Sequence, residues 1–226
     1  MGVAVIDVVI PLRDKPSTFM DLELRFALRS IERYFPVRDV WCVGIPRDTF
    51  ALNWIEQPDL EGGYDTRHES VRQKILKACE NPFISDPFAL WNDDFFLLRT
   101  VNNLPDYYDG TIEDRLKDTT SGYAERMKRT IPYSDGRNYE VHTPVMIDKK
   151  LFKKVTKEGM LYRNLHCSKS KREKVQIQDP KLYNHNEHLD FRKWRQDKWM
   201  FSTSDISFHY ILPQMRKMYP EKSRWE

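Results

Sequence analysis

The sequence predicts an α/β fold with a mostly parallel sheet flanked by helices, and three observations carry that prediction. Strand-length apolar runs alternate with amphipathic stretches through the first 92 residues. The runs are continuously apolar rather than alternating, as in strands covered on both faces. The third run ends in Asn92-Asp93-Asp94, at the strand end where open α/β sheets bind their ligands.

Residues 3–12 (VAVIDVVIPL) are β-branched and form the first strand. In residues 21–35, Leu24, Ala27, Leu28, Ile31 and Tyr34 recur at helical spacing, and Pro36 stops the helix. Residues 39–46 (DVWCVGIP) form a second buried strand, and residues 58–66 a loop. Residues 68–80 form a second helix with Val71, Ile75 and Ala78 on one face, and 86–92 (DPFALWN) a third strand. This alternation is the signature of a parallel sheet. Beyond Asp94 it fades. FFLLRTV (95–101) reads as a short strand, 102–136 as a long polar excursion with a helical part, and 138–155 as a strand, a turn at Pro144 and a helix. Residues 163–198 are polar, dotted with aromatics, and read as a mobile or substrate-facing region. KWMFSTSD (198–205) is a last strand and 206–220 a last helix, kinked near Pro213.

The 226 residues, 40% hydrophobic and 31% charged, suit one domain. Net charge is +3, which fits an anionic ligand without demanding nucleic acid. No run of 18 apolar residues predicts a membrane span. The apolar start lacks a basic leader region and reads as a strand. Cys42, Cys79 and Cys167 are far apart and odd in number, which argues against disulfides and zinc and suits a reducing cytoplasm. No GxGxxG, P-loop or GxSxG occurs, which disfavours a dinucleotide dehydrogenase, a P-loop kinase and a serine hydrolase elbow.

Five constellations carry candidate chemistry. Adjacent Asp93 and Asp94 repel, and burial raises the cost of both anions. A hard cation clamping a diphosphate relieves that cost, with Asn92 beside it; a solvated turn is the plainer alternative. Asp7, an acid inside an apolar strand, either contacts a ligand or hydrogen-bonds a loop. Arg25 and Arg29 share a helix face, where Arg25 reaches a phosphate or merely pairs with a neighbouring acid. Lys74 is a further candidate to neutralise phosphate. His142, between a strand and a helix, is a general base, a metal ligand or structural. Ser204 and Asp205 cap the last helix or add a third strand-terminal acid.

Four segments in series resemble the Stealth family, which includes bacterial capsular-polysaccharide phosphotransferases and the lysosomal-enzyme GlcNAc-1-phosphotransferase. IDVVIPL (6–12) resembles its first region, without the Trp-Val-Asp/Asn-Gly that follows there. LELRFALRSIERYFPVRDVWCVGIP (22–46) and FALWNDDFFL (88–97) resemble the opening and close of the second. VHTPVMIDKKLF (141–152) resembles the third, HxPxxIDxxxM. FSTSDISF and MYPEKSRWE (201–208 and 218–226) resemble the fourth, with Ser204-Asp205 where the family usually has Asn-Asp.

The resemblance implies a GT-A-like fold, a nucleotide-sugar donor, Mg²⁺ or Mn²⁺, and transfer of a sugar or sugar 1-phosphate to a hydroxyl. It places Asp7 and Arg25 at the donor, Asp93 and Asp94 at the metal, and Asp94, His142 and Asp205 among the catalytic residues, with residues 1–101 as the nucleotide-sugar-binding half and 102–226 as the acceptor-side half. The compact chain suits a minimal, phage-type member. The acceptor expected is a polysaccharide, a nucleotide or DNA. For DNA, the basic residues between 163 and 199, interleaved with Tyr162, Tyr183, Phe191, Trp194 and Trp199, match a phosphate backbone with unstacked bases. The alternatives are a DNA-base glycosyltransferase and an inactive ligand-binding module of the same fold.

Overall fold

The computed structural model describes residues 5–17, 19–62, 64–120, 122–183 and 190–226. Its first half runs β1 (Ile6–Pro11), α1 (Leu22–Tyr34), β2 (Val37–Gly44), β3 (Asn53–Glu56), α2 (Tyr64–Glu80), β4 (Phe88–Leu90) and β5 (Phe95–Leu97). Then follow β6 (Asp106–Tyr108), α3 (Ile112–Lys117), α4 (Gly122–Thr130), β7 (Val145–Ile147), α5 (Lys149–Val155), α6 (Tyr162–Lys169), β8 (Lys174–Gln176), α7 (Phe191–Trp194), β9 (Met200–Ser202) and α8 (Asp205–Met218).

The central sheet has the order β3-β2-β1-β4-β7, parallel except for β7, which runs against β4. Alternate side chains of β1 fall on opposite faces, as strand geometry requires. Val8 and Ile10 pack with Leu24, Leu28 and Ile31 of α1, whereas Val9 packs with Ile75 and Ala78 of α2. Each fully buried Leu or Ile on α1 contributes about 1.5–3 kcal/mol. Both faces of the sheet are therefore covered, which explains why its strands read as unbroken apolar runs. A second, two-stranded sheet pairs β5 with β9 antiparallel. Phe96 and Phe201 from it pack on Phe26 of α1 and Phe208 of α8. α8 carries Pro213 inside it, and its first turn is closed by a capping box between Ser204 and Ser207.

Two expectations change, and one strand is added that the sequence does not mark. The strand around 138–155 follows Pro144 instead of preceding it, because Val145–Ile147 pairs with β4. β3, a short edge strand with half-exposed residues, lacks the apolar run that marks a buried strand. Much of 163–198 is built into the core rather than mobile: in α6, Asn164 and His166 are fully buried, and β8 pairs with β6. Residues 184–189 of that segment lie outside the described residues.

Candidate functional site at the carboxyl end of the sheet

The turn carrying the two carboxylates is held from beneath. Trp91 is fully buried, its backbone N–H donates to Val9 O at 2.9 Å, and its indole N–H donates to Phe95 O at 3.1 Å. Phe95 N–H donates back to Asn92 O at 3.3 Å. The apolar residues on either side thus clamp a turn that leaves Asn92, Asp93 and Asp94 beyond the end of β4. Asp94 accepts a hydrogen bond from Ser202 Oγ at 2.7 Å and faces Lys181 Nζ at 3.8 Å. Ser202 stands opposite Phe95 in the β5–β9 ladder, so this contact joins the main sheet's end to the second sheet.

Asp93 carries the unbalanced charge. Burial, then the neighbouring Asp94 and Glu23, push its carboxyl up to about 7, and Arg13 opposes them. Glu23, in the first turn of α1, is 4% exposed. Its carboxyl is raised by burial and by Asp205 and Asp94, and is held by Ser17 Oγ at 2.6 Å. Asp205 is the first residue of α8, directly after its cap, and is exposed. Four acids from α1, the β4 turn and α8 therefore share one electrostatic neighbourhood. Among the described residues no three His, Cys, Asp or Glu side chains are placed to enclose a metal ion. The donor set nevertheless fits a Mg²⁺ or Mn²⁺ that uses two carboxylates and completes its shell with water and phosphate oxygens. A desolvated carboxyl with anionic neighbours is what such a cation would relieve.

His142 lies at the same end of the sheet. Val145 pairs with Leu90 in an antiparallel ladder, so the residues before Val145 leave the sheet at the end where those after Leu90 leave it. His142 Nδ1 lies 2.8 Å from Asp179 Oδ2, and its backbone N–H donates to Asp179 Oδ1 at 3.2 Å.

The other candidates are used elsewhere. Asp7 sits at the amino end of β1, fully buried. Its carboxylate accepts from Arg38 Nε at 2.8 Å and from Ser85 N–H at 2.7 Å, so it ties β1 to β2 and to the approach to β4. Arg38 follows Val37, the register partner of Ile6, which explains the pairing. Arg25 contacts Glu226 at 3.4 Å and lies over the Phe50 ring, while Arg29 binds Glu226 twice at 2.7 Å. Both arginines meet a protein carboxylate, and the cation acting on Asp93 is Arg13. Lys74 is 1% exposed and is spent on Leu12 O and on Asp59 at 2.6 Å, fixing the loop after β1. The basic stretch 163–199 is likewise divided. Arg163 donates to Thr143 O at 2.5 Å and Lys174 pairs with Asp106 at 2.6 Å, whereas Arg192, Arg195 and Lys198 line an open groove with Arg99. The sequence reading missed Arg13, Glu23 and Asp179, and took Lys181 only as one of the basic residues between 163 and 199. Glu23 looked like an ordinary first-turn acid, and the other three stand in irregular segments without a motif.

No family model matches the chain, and no curated protein matches it. Its backbone is similar to that of a galactosyltransferase, LgtC, solved in complex with donor and acceptor sugar analogs. That likeness covers 96% of each chain with a TM-score of 0.53 and 11% identity. The fold is GT-A. An active-site mutant of LgtC aligns over 88% of this chain and 87% of that one, with a TM-score of 0.47 and 14% identity. The glycosyltransferase GlyE of Streptococcus pneumoniae TIGR4 aligns over 78% of this chain and 46% of its own, with a TM-score of 0.36 and 11% identity. Among the described residues no helix is long and apolar enough to cross a membrane.

Proposed function

We propose that this chain transfers a sugar, or a sugar 1-phosphate, from a nucleotide-sugar donor to a hydroxyl acceptor. The observation that carries the reading is the Asp93-Asp94 pair, clamped at the carboxyl end of β4 in a GT-A fold, with the Asp93 carboxyl raised by burial and by its anionic neighbours. Asp93 and Asp94 would hold Mg²⁺ or Mn²⁺, which supplies positive charge to the leaving phosphate. Ser202 fixes one rotamer of Asp94, and Lys181 and Arg13 bring further positive charge to the acids. His142 or Asp205 takes the acceptor's proton.

The likeness of four segments to the Stealth family favours sugar 1-phosphate transfer. The departure at Ser204 falls at the N-cap of α8, where Ser and Asn serve equally, so it leaves Asp205 in its helical position.

The test is incubation with Mn²⁺ and a panel of UDP-, GDP- and CDP-sugars with sugar, nucleotide and DNA acceptors. Release of nucleoside monophosphate marks sugar-phosphate transfer, and release of diphosphate marks glycosyl transfer. The double variant Asp93→Asn/Asp94→Asn is expected to lose turnover by about 10³-fold or more with the fold intact. A double variant that turns over at the wild-type rate removes the proposed donor site.

A further inference from the structure

The segment from Asp179 to Tyr183 touches both halves of the candidate site. Pro180 O accepts from Ser202 N–H at 3.2 Å and Leu182 N–H donates to Ser202 O at 2.8 Å, so the segment meets the end of β9 in a single parallel bridge at Lys181 and Ser202. From it Lys181 reaches Asp94 and Asp179 reaches His142. Asp179 is itself anchored: its N–H donates to Asp109 Oδ2 at 3.2 Å, and Tyr183 OH donates to its Oδ2 at 3.3 Å. Burial pushes the Asp179 carboxyl up, but hydrogen bonds and charge from His142, with backbone N–H groups, more than offset this and leave it below its ordinary value. An ionised carboxylate only accepts hydrogen bonds, so the ring nitrogen at 2.8 Å must carry its hydrogen. In neutral His142 the lone pair then sits on Nε2. That nitrogen has no partner among the described residues, and the ring is 30% exposed.

We propose that Asp179 is a positioning residue that fixes His142 as the Nδ1–H tautomer, so that Nε2 accepts the proton of the acceptor hydroxyl. The proposal rests on the sugar-transfer reading and chooses between its two proton acceptors. His142 has a fixed partner on one ring nitrogen and a second nitrogen without a partner among the described residues, whereas Asp205 stands exposed in the first turn of α8. In the step, the acceptor O–H bond breaks and its proton moves to Nε2. The hydroxyl oxygen bonds to the donor's carbon or phosphorus. The bond from that centre to the leaving oxygen breaks with its electron pair, releasing nucleoside diphosphate or monophosphate. The imidazolium then returns the proton to water. The segment that carries both Asp179 and Lys181 ties this base to Asp94, and so to the proposed donor site.

Two measurements test it. Nitrogen NMR of the histidine rings, assigned with His142→Gln, should show the Nδ1–H form in the wild-type protein at neutral to mildly basic pH, and a population of Nε2–H in Asp179→Asn. In transfer assays, Asp179→Asn and His142→Gln should each lower kcat by about 10²-fold or more with donor KM unchanged, and the double variant should fall no further. His142→Gln keeps Asp179 in place and serves if Asp179→Asn fails to fold. An Nε2–H ring in the wild type, kcat within twofold for either variant, or additive losses overturns the proposal. A wild-type protein with the Nδ1–H ring that transfers from no nucleotide sugar overturns the sugar reading itself, and the base role with it.

Discussion

At the scale of single residues, identical side-chain types take opposite roles because their surroundings differ. Asp7 and Asp93 are both carboxylates at an end of the same sheet. Asp7 has an arginine and a backbone donor on its oxygens, whereas Asp93 has anionic neighbours. Asp7→Ala should therefore cost about 2–3 kcal/mol of stability, read by urea denaturation, and leave donor KM unchanged. Asp93 should behave in the reverse sense. Its folded carboxyl keeps its proton to about pH 7, against roughly pH 4 in the unfolded chain. The folded state binds more protons across that window, so ionising Asp93 removes stability as pH rises through it. Without metal, Asp93→Asn should match wild type near pH 4 and exceed it near pH 8 by about 4 kcal/mol, on the order of ten degrees in Tm. Mn²⁺ should raise the wild-type Tm more at pH 8 than at pH 5 and leave the Asp93→Asn/Asp94→Asn variant unmoved.

At the scale of elements, legibility followed sequence distance. The helices α1 and α2 and the strands β1, β2 and β4 announce themselves through periodicity, and Asp93, Asp94 and His142 stand out as polar residues at the edges of such runs. The contact of Arg25 with Glu226 is not legible in the sequence, because the two are 201 residues apart. Asp179 was invisible because it is one polar residue in a polar stretch, 37 residues from His142. The 163–199 stretch shows the same limit, since charge in a sequence does not reveal which cations are already paired. With Arg163 and Lys174 used internally, the groove around Arg99, Arg192, Arg195 and Lys198 offers about four phosphate contacts. DNA held in this groove should show a log–log salt slope of about −4, measured by fluorescence anisotropy. Arg192→Glu/Arg195→Glu should abolish the binding, and a slope near −8 would restore a DNA-gripping surface along the whole stretch.

At the scale of the whole molecule, the parallel sheet was legible in the first 92 residues and the GT-A outline only through the family resemblance, whereas the second sheet, β7's direction and the β6–β8 pair depend on pairings between distant segments. The β5–β9 ladder bears on the order of assembly. Phe95 meets Ser202 only after a loop of more than a hundred residues has closed, and closing long loops is slow because its entropy is lost before the contacts reward it. The nascent chain can form α1 and the strands up to Asp94 from neighbouring segments. It cannot give Asp94 its serine, nor bring Lys181 and the Asp179–His142 pair beside it, until the last strand has docked. The two adjacent carboxylates are thus made early and completed last, so a partly folded chain holds a repelling acid pair without the partners that orient it.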